Sequence, residues 1–104
     1  MAFIAYDLSL DLVSLVAPVA LAVQRHDRSL ADQLRRAVAS VPANLAEGSG
    51  RIGKDRLHHY RIAYGSAREL RAHLDIAGRL AYADTATADR LADRVTGLVY
   101  GLTR

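Results

Sequence analysis

Residues Asp7–Arg25 read DLSLDLVSLVAPVALAVQR, and apolar side chains recur at helical spacing on more than one side of this stretch. One apolar stripe comprises Leu8, Leu12, Leu15, Val19 and Val23, and a second comprises Leu10, Val13, Ala17 and Leu21. A helix that is apolar on nearly every side must be covered on more than one face. The rest of a 104-residue chain can cover only one of these faces, so the second stripe predicts an interface with another subunit.

Three further segments show helical spacing, and no segment shows the alternation of apolar and polar residues that is typical of a strand. The predicted helices span about 7–25, 30–47, 54–83 and 86–102. Ser29 is the predicted N-cap of the second helix. Gly65 lies inside the third helix, where the close approach of a neighbouring backbone would explain a glycine. Short linkers favour a single all-α domain over residues 1–104, an antiparallel up-down-up-down four-helix bundle.

The composition argues against catalytic and metal chemistry. There is no cysteine, which removes disulfides, thiolate metal sites and cysteine nucleophiles. The two glutamates, Glu47 and Glu69, are far apart in sequence, and no serine lies in a nucleophile elbow. Glu69 and His73, like Asp55 and His59, are four residues apart, a spacing that surface pairs share with metal ligands, and no third ligand is evident. We therefore expect no enzyme activity, no metal site and no cofactor.

The N-terminal segment argues against export and membrane insertion. Residues 1–7 carry no Lys or Arg, which a secretory signal needs ahead of its apolar run. The apolar stretch that follows is shorter than a bilayer span and is interrupted by Ser9, Asp11, Ser14 and Pro18. We therefore expect a cytoplasmic protein that does not associate with membranes.

The glycine-rich stretch Gly48–Asp55, GSGRIGKD, fits two phosphate-binding patterns, G-x-G-x-x-G and G-x-x-x-x-G-K. Both patterns bind phosphate when they follow a strand, whereas a predicted helix precedes this stretch. Asp55 also stands where a magnesium-binding Ser or Thr is required. We therefore favour a turn between helices, and the alternative is an anion contact at the start of the third helix, near Arg51 and Lys54.

Basic residues are concentrated in the middle of the chain. The net charge is +3, and residues 25–79 carry eleven basic and six acidic side chains. Thirteen of the fourteen basic residues are Arg, which is typical of a GC-rich genome and also of a surface that binds phosphate. The candidate phosphate-binding residues are Arg28, Arg35, Arg51, Lys54, Arg56, Arg61, Arg68 and Arg71. The sequence shows no recognition helix and no base-stacking motif, so we expect binding without sequence specificity.

A polar stripe follows one face of the predicted second helix. It comprises Gln33, Arg36, Ser40, Asn44 and Glu47, at steps of three and four residues. Solvated faces usually carry Lys and Glu, whereas amides and hydroxyls around one Arg and one Glu favour a partly buried, hydrogen-bonded seam. Glu69 on the third helix is the predicted partner of Arg36. A plain solvated face and a ligand site are the alternatives.

Residues 33–37 (QLRRA), 40–51 (SVPANLAEGSGR) and 62–70 (IAYGSAREL) resemble the four helix bundle protein family, also called the ribosomal-RNA intervening-sequence protein family. The resemblance covers about residues 8–102. It implies an antiparallel four-helix subunit assembled as a homopentameric barrel. One branch of the family is encoded within intervening sequences of large-subunit ribosomal RNA genes. Another branch is the accessory variability protein of diversity-generating retroelements, a basic pentamer that binds nucleic acid and a reverse transcriptase.

Two functions are compatible with these features. The first is a pentameric accessory protein that binds RNA or DNA through the candidate phosphate-binding residues, with five copies raising the avidity of a weak patch. The second is a structural or adaptor assembly that binds another protein without nucleic acid. Both place the subunit interface on the second apolar stripe of the first helix, Leu10, Val13, Ala17 and Leu21.

Overall fold

The computed structural model describes residues 3–104, which form four α-helices and no strand. The helices are α1 (Ile4–Gln24), α2 (Arg28–Ser49), α3 (Gly53–Arg79) and α4 (Ala86–Leu102). Each helix packs against the next along the chain, and α1 also packs against α4, so α1 and α3 lie at opposite corners of the bundle. The bundle measures 42 × 21 × 19 Å. The predicted all-α class is confirmed.

One hydrophobic core runs between the four helices. Its largest fully buried side chains include Leu12, Leu34, Leu45, Leu70, Leu74, Val95 and Val99. Together with Val16, Val23 and Val41, these residues recur at steps of four or seven along each helix, because one side of every helix faces the axis of the bundle. Full burial of a Leu or Val side chain stabilises a fold by about 1.5–3 kcal/mol, so this core supplies the main driving force for folding.

The start of α2 differs from the prediction, because Asp27 and not Ser29 is its N-cap. Asp27 has an extended backbone (φ −154°, ψ 100°), and its carboxylate Oδ1 accepts a hydrogen bond from the backbone N–H of Leu30 at 3.0 Å. A carboxylate at this position satisfies an otherwise unpaired N–H and faces the positive end of the helix dipole. Ser29 lies within the first turn, where its hydroxyl accepts a hydrogen bond from Gln33 Nε2 at 3.1 Å.

The end of α3 also differs from the prediction, because the helix ends at Arg79 and not near Ala83. Ala81 adopts a left-handed conformation (φ 58°), and the backbone N–H of Tyr82 donates to the carbonyl of Ala77 at 3.0 Å. This is the hydrogen bond of a helix stop that normally uses Gly or Asn. The sequence carries Ala at this position, which is a good helix former, so the stop gives no compositional signal.

The left-handed Ala81 predicts that Ala81→Gly stabilises the protein by about 0.5–1 kcal/mol, because glycine adopts positive φ without steric conflict. Urea denaturation should show a higher midpoint with an unchanged slope. Ala72→Gly is the matched control, since Ala72 is exposed inside the same helix and its replacement should destabilise by about 1 kcal/mol. A lower midpoint for Ala81→Gly would contradict the stop described here.

Within residues 3–104, α1 alone is long and apolar enough, judged by length and composition, to cross a membrane. The core helix of a bundle passes the same test. Seven residues of α1, among them Leu12, Val16 and Val23, are buried against the other helices. The apolar character of α1 therefore has a structural role inside the bundle.

Candidate functional site

The second apolar stripe of α1 is exposed on the surface of the single chain. Leu10 is 43% exposed and Leu21 is 59% exposed, while Ala17 is exposed and Val13 is half-buried. Beside this stripe runs a groove of about 400 Å³ between α1 and α2, lined by Val13, Val16, Ala17, Leu21, Arg35, Val38 and Ala39. We call this surface the α1 face. The lining of its groove is apolar except for one charged residue.

Arg35 is that residue, and its contacts place it on the α1 side of α2. Its Nη2 donates a hydrogen bond to Gln24 Oε1 of α1 at 2.7 Å, and its Nη1 lies 3.4 Å from the carboxylate of Asp32. Arg28, the first residue of α2, is exposed near the same end of the bundle. The contacts of Arg35 therefore place it on the α1 face and not beside the candidate phosphate-binding residues of α3.

Three of the candidate phosphate-binding residues form a stripe along α3. Lys54, Arg61 and Arg68 are seven residues apart, so they lie on the same side of the helix at intervals of about 10 Å. All three are exposed, and within residues 3–104 none of them makes an ion pair with a carboxylate. We call these residues the α3 cationic stripe. Their charges are available to an anionic ligand.

The other predicted cations on and before α3 already have partners. Arg51 lies 3.1 Å from Glu47 and 3.8 Å from Asp55. Arg56 donates a hydrogen bond from Nε to the backbone carbonyl of Arg51 at 2.8 Å. Arg71 pairs with Asp93 of α4 at 3.1 Å. A carboxylate within ion-pair distance offsets the attraction that a guanidinium exerts on phosphate, so Arg51 and Arg71 contribute less than the stripe. Arg56 keeps its net charge, but it lies two residues after Lys54 and therefore on a different side of α3 from the stripe.

The glycine-rich stretch is the turn between α2 and α3. The helix α2 continues through Ser49, and α3 begins at Gly53, whose φ of +57° favours a residue without a side chain. A helix therefore precedes the pattern, as expected from the sequence, and Asp55 adds a negative charge to the first turn of α3. This geometry favours the inter-helix turn over an anion contact at the helix start.

The middle of the polar stripe on α2 takes part in a hydrogen-bonded seam with α3. Ser40 Oγ and Ser66 Oγ are 2.7 Å apart, and Asn44 Nδ2 donates to Ser40 Oγ at 3.0 Å. Asn44 Oδ1 lies 3.3 Å from Nδ1 of His59. All four side chains are half-buried. The partners Ser66 and His59 were missed by the sequence analysis, although their spacing of seven residues places them on one side of α3.

The ends of the stripe do not belong to this seam. Gln33 bonds to Ser29 and Glu47 pairs with Arg51, both on the surface. The predicted pairing of Arg36 with Glu69 is wrong, because among the described residues no ion pair joins them and Glu69 Oε1 lies 3.6 Å from His73 Nε2 instead. Arg36 and Glu69 are both exposed, where a long-range ion pair gains little in water.

An aromatic cluster that the sequence analysis did not find lies beside the cationic stripe. The rings of Tyr64 on α3 and Tyr100 on α4 have centroids 5.4 Å apart. The guanidinium carbon of Arg68 lies 5.9 Å from the centroid of Tyr64, and that of Arg104 lies 5.8 Å from the centroid of Tyr100. The two tyrosines are 36 residues apart in sequence, so no local spacing signals their contact.

The sequence profile of the 23S rRNA-intervening sequence protein family matches residues 2–104. The chain belongs to this family. Its fold is similar to the crystal structure, at 1.70 Å resolution, of a protein with unknown function from the S23 ribosomal protein family of Bacteroides thetaiotaomicron VPI-5482. The TM-score is 0.87 at 17% sequence identity, covering 96% of this chain and 98% of that chain. At this identity the likeness concerns the fold alone, and no curated protein matches the sequence.

The 23S rRNA-intervening sequence proteins are not a known enzyme family. In this member, no group of three or more His, Cys, Asp or Glu side chains within residues 3–104 could hold a metal ion. The described residues present an apolar surface, the α1 face, and a cationic surface along α3. Because α1 and α3 lie at opposite corners of the bundle, one surface can be covered while the other stays accessible.

Proposed function

We propose that this intervening-sequence protein is a non-enzymatic, homopentameric accessory protein that binds nucleic acid phosphates. In this proposal the subunit is an antiparallel up-down-up-down bundle, the α1 face forms the contact between subunits, and the α3 cationic stripe contacts phosphates. The observation that carries the proposal is the stripe itself. Lys54, Arg61 and Arg68 are exposed at the corner opposite α1, and among residues 3–104 none of them pairs with a carboxylate.

The exposure of the α1 face supports self-association. Leu10 is 43% exposed and Leu21 is 59% exposed, and they lie beside an apolar groove of about 400 Å³. Exposed contiguous apolar surface of this kind is rare on monomeric proteins and usually marks an interaction site.

Phosphate binding follows from the chemistry of the stripe. Exposed Arg and Lys side chains attract the phosphate backbone without reading sequence, and binding releases condensed counterions. Three cations per subunit form a weak patch. Five copies in one assembly multiply it, because contacts made by linked sites raise avidity without new chemistry.

The alternative is an adaptor that binds a protein partner. A cleft at the α3–α4 turn supports this alternative. A cleft of about 740 Å³ lies there, lined by Asp75, Ile76, Gly78, Arg79, Leu80, Thr85 and Asp89. Ile76 and Leu80 are exposed at its border. Exposed apolar side chains beside charged ones are typical of protein-binding surfaces.

A salt-titrated binding assay tests the proposal. Wild-type protein should bind RNA and duplex DNA at about 50 mM salt and lose affinity steeply as salt rises. The double variant Lys54→Gln/Arg61→Gln should bind more weakly and with a shallower salt dependence, because fewer phosphates are neutralised. Arg71→Gln is the control. Because Arg71 is already paired with Asp93, this substitution should change the salt dependence of binding less than the double variant does.

Absence of binding to both nucleic acids at low salt would exclude the proposal and leave the adaptor function. If Arg71→Gln and the double variant lose the same affinity for nucleic acid, the α3 cationic stripe contributes no more to phosphate binding than other basic residues do.

A further inference from the structure

The four side chains Arg68, Tyr64, Tyr100 and Arg104 form a continuous row on the surface shared by α3 and α4. The guanidinium of Arg68 lies over the ring of Tyr64, and that of Arg104 lies over the ring of Tyr100. Between them, the two tyrosine rings are neighbours with an interplanar angle of 48°. We call this row the Arg–Tyr cluster. It extends the α3 cationic stripe, because Arg68 belongs to both.

The cluster is open to solvent. Tyr100 is 48% exposed and Tyr64 is half-buried. Gly65 follows Tyr64, Gly101 follows Tyr100, and Gly97 lies one turn before Tyr100. A Cβ built at any of these glycines would meet nothing within 4 Å beyond its two chain neighbours and the backbone of its own helix. The close backbone approach that would explain Gly65 is therefore not made by the described part of this chain. Each of these glycines disfavours its helix by about 1 kcal/mol relative to Ala, yet none is required by packing within the subunit.

Aromatic rings interleaved with guanidinium groups have a specific affinity for unpaired bases. Proteins that bind single-stranded nucleic acid combine a cationic track for the backbone with aromatic side chains on which bases stack. Arginine planes stack on bases as well, and bases inside a duplex are not available for such stacking. Gly97 lies one turn before Tyr100 on the same side of α4 and places no side chain there.

We propose that the Arg–Tyr cluster is a binding site for single-stranded nucleic acid, in which bases stack on Tyr100 and Tyr64 while the phosphates follow the α3 cationic stripe. This inference rests on the proposed function and names its ligand class. RNA and DNA single strands offer the same stacking chemistry. The cluster therefore predicts a preference for unpaired strands over duplexes.

The test measures binding of fluorescein-labelled oligouridylate, oligothymidylate, an abasic oligodeoxynucleotide of equal length and a duplex, all at about 50 mM salt. Tyr100→Leu should raise the Kd for oligouridylate or oligothymidylate roughly 5- to 150-fold, the range expected for loss of one base–aromatic stack. Tyr100→Phe should bind like the wild type, because it keeps the ring. Tyr100→Leu and the wild type should have the same Kd for the abasic strand, because this strand offers phosphates without bases on which Tyr100 could stack.

Intrinsic fluorescence gives an independent readout. The chain contains five tyrosines and no tryptophan, so its emission reports on tyrosine directly. Oligouridylate should quench part of this emission, the abasic strand should not, and the quenching should be reduced in Tyr100→Leu.

The outcomes separate this inference from the function on which it rests. If Tyr100→Leu binds single strands like the wild type while Lys54→Gln/Arg61→Gln is impaired, stacking is excluded and phosphate binding stands. If the wild type binds none of the probes, both are excluded. If Tyr100→Leu changes the sedimentation of the protein without changing its affinity for single strands, Tyr100 is a subunit contact and the inference is overturned.

Discussion

Leu21→Glu is expected to dissociate the assembly into folded monomers. Leu21 is 59% exposed in the single chain, so a carboxylate there is hydrated in the monomer and leaves the core of the bundle unchanged. In an assembly through the α1 face the same carboxylate would be buried without a partner, which is unfavourable by several kcal/mol at every subunit contact. Sedimentation velocity measures the change in mass, and circular dichroism should show an unchanged helix content.

Leu80→Glu is the matched control for this prediction. Leu80 is similarly exposed, but it caps α3 at the α3–α4 turn and lies outside the α1 face, so its replacement should leave the assembly intact. The Leu21→Glu monomer should also bind nucleic acid about 10²–10⁴-fold more weakly than the assembly, because avidity is lost while the α3 cationic stripe is unaltered. A wild-type protein that sediments as a monomer, or a Leu21→Glu variant that remains assembled, would contradict the assignment of the α1 face.

Gly48→Ala and Gly97→Ala are expected to change stability in opposite directions. A Cβ at Gly48 would lie 2.8 Å from two ring carbons of Tyr60, which is nearly fully buried and packs edge-to-face against Phe3. That ring cannot move without disturbing its neighbours, so Gly48→Ala should destabilise by about 1–2 kcal/mol. A Cβ at Gly97 meets nothing within 4 Å, so Gly97→Ala should stabilise by about 0.5–1 kcal/mol through helix propensity alone.

Thermal unfolding measures both effects, since 1 kcal/mol shifts the melting temperature of a domain of this size by about 4–8 °C. Tyr60→Leu provides the mechanistic control. In the double-mutant cycle, the effect of Gly48→Ala should shrink when the ring of Tyr60 is absent, because the two positions are in direct contact. Shifts of the same sign for Gly48→Ala and Gly97→Ala would contradict the packing described here.

The fold class was predictable because it depends on periodicity, whereas the helix ends depend on individual backbone angles. The apolar stripes place Leu12, Leu34 and Leu70 in the core, as their spacing indicates. The N-cap was wrongly predicted because Asp27 and Ser29 are both good caps, and only the extended backbone at Asp27 distinguishes them. The end of α3 was wrongly predicted because position 81 carries Ala and not the Gly or Asn that usually marks a left-handed helix stop.

The candidate site was only partly predictable. The seven-residue spacing of Lys54, Arg61 and Arg68 implies that they lie on one side of α3, although the sequence analysis did not separate them from the other five candidates. Spacing does not predict which cations find a carboxylate on another element. Arg71 is paired only because α4 brings Asp93 to within 3.1 Å of it.

Properties that arise within one helix were readable from the residues alone: the four helices, the buried stripe of each and the apolar second face of α1. They follow from the 3.6-residue repeat, which relates neighbours three and four positions apart. Contacts between helices were not readable in this way, because they depend on how two helices are placed in space. The approach of Tyr64 to Tyr100, the seam from Ser40 to Ser66 and the close fit of Gly48 against Tyr60 therefore emerged only from the folded bundle.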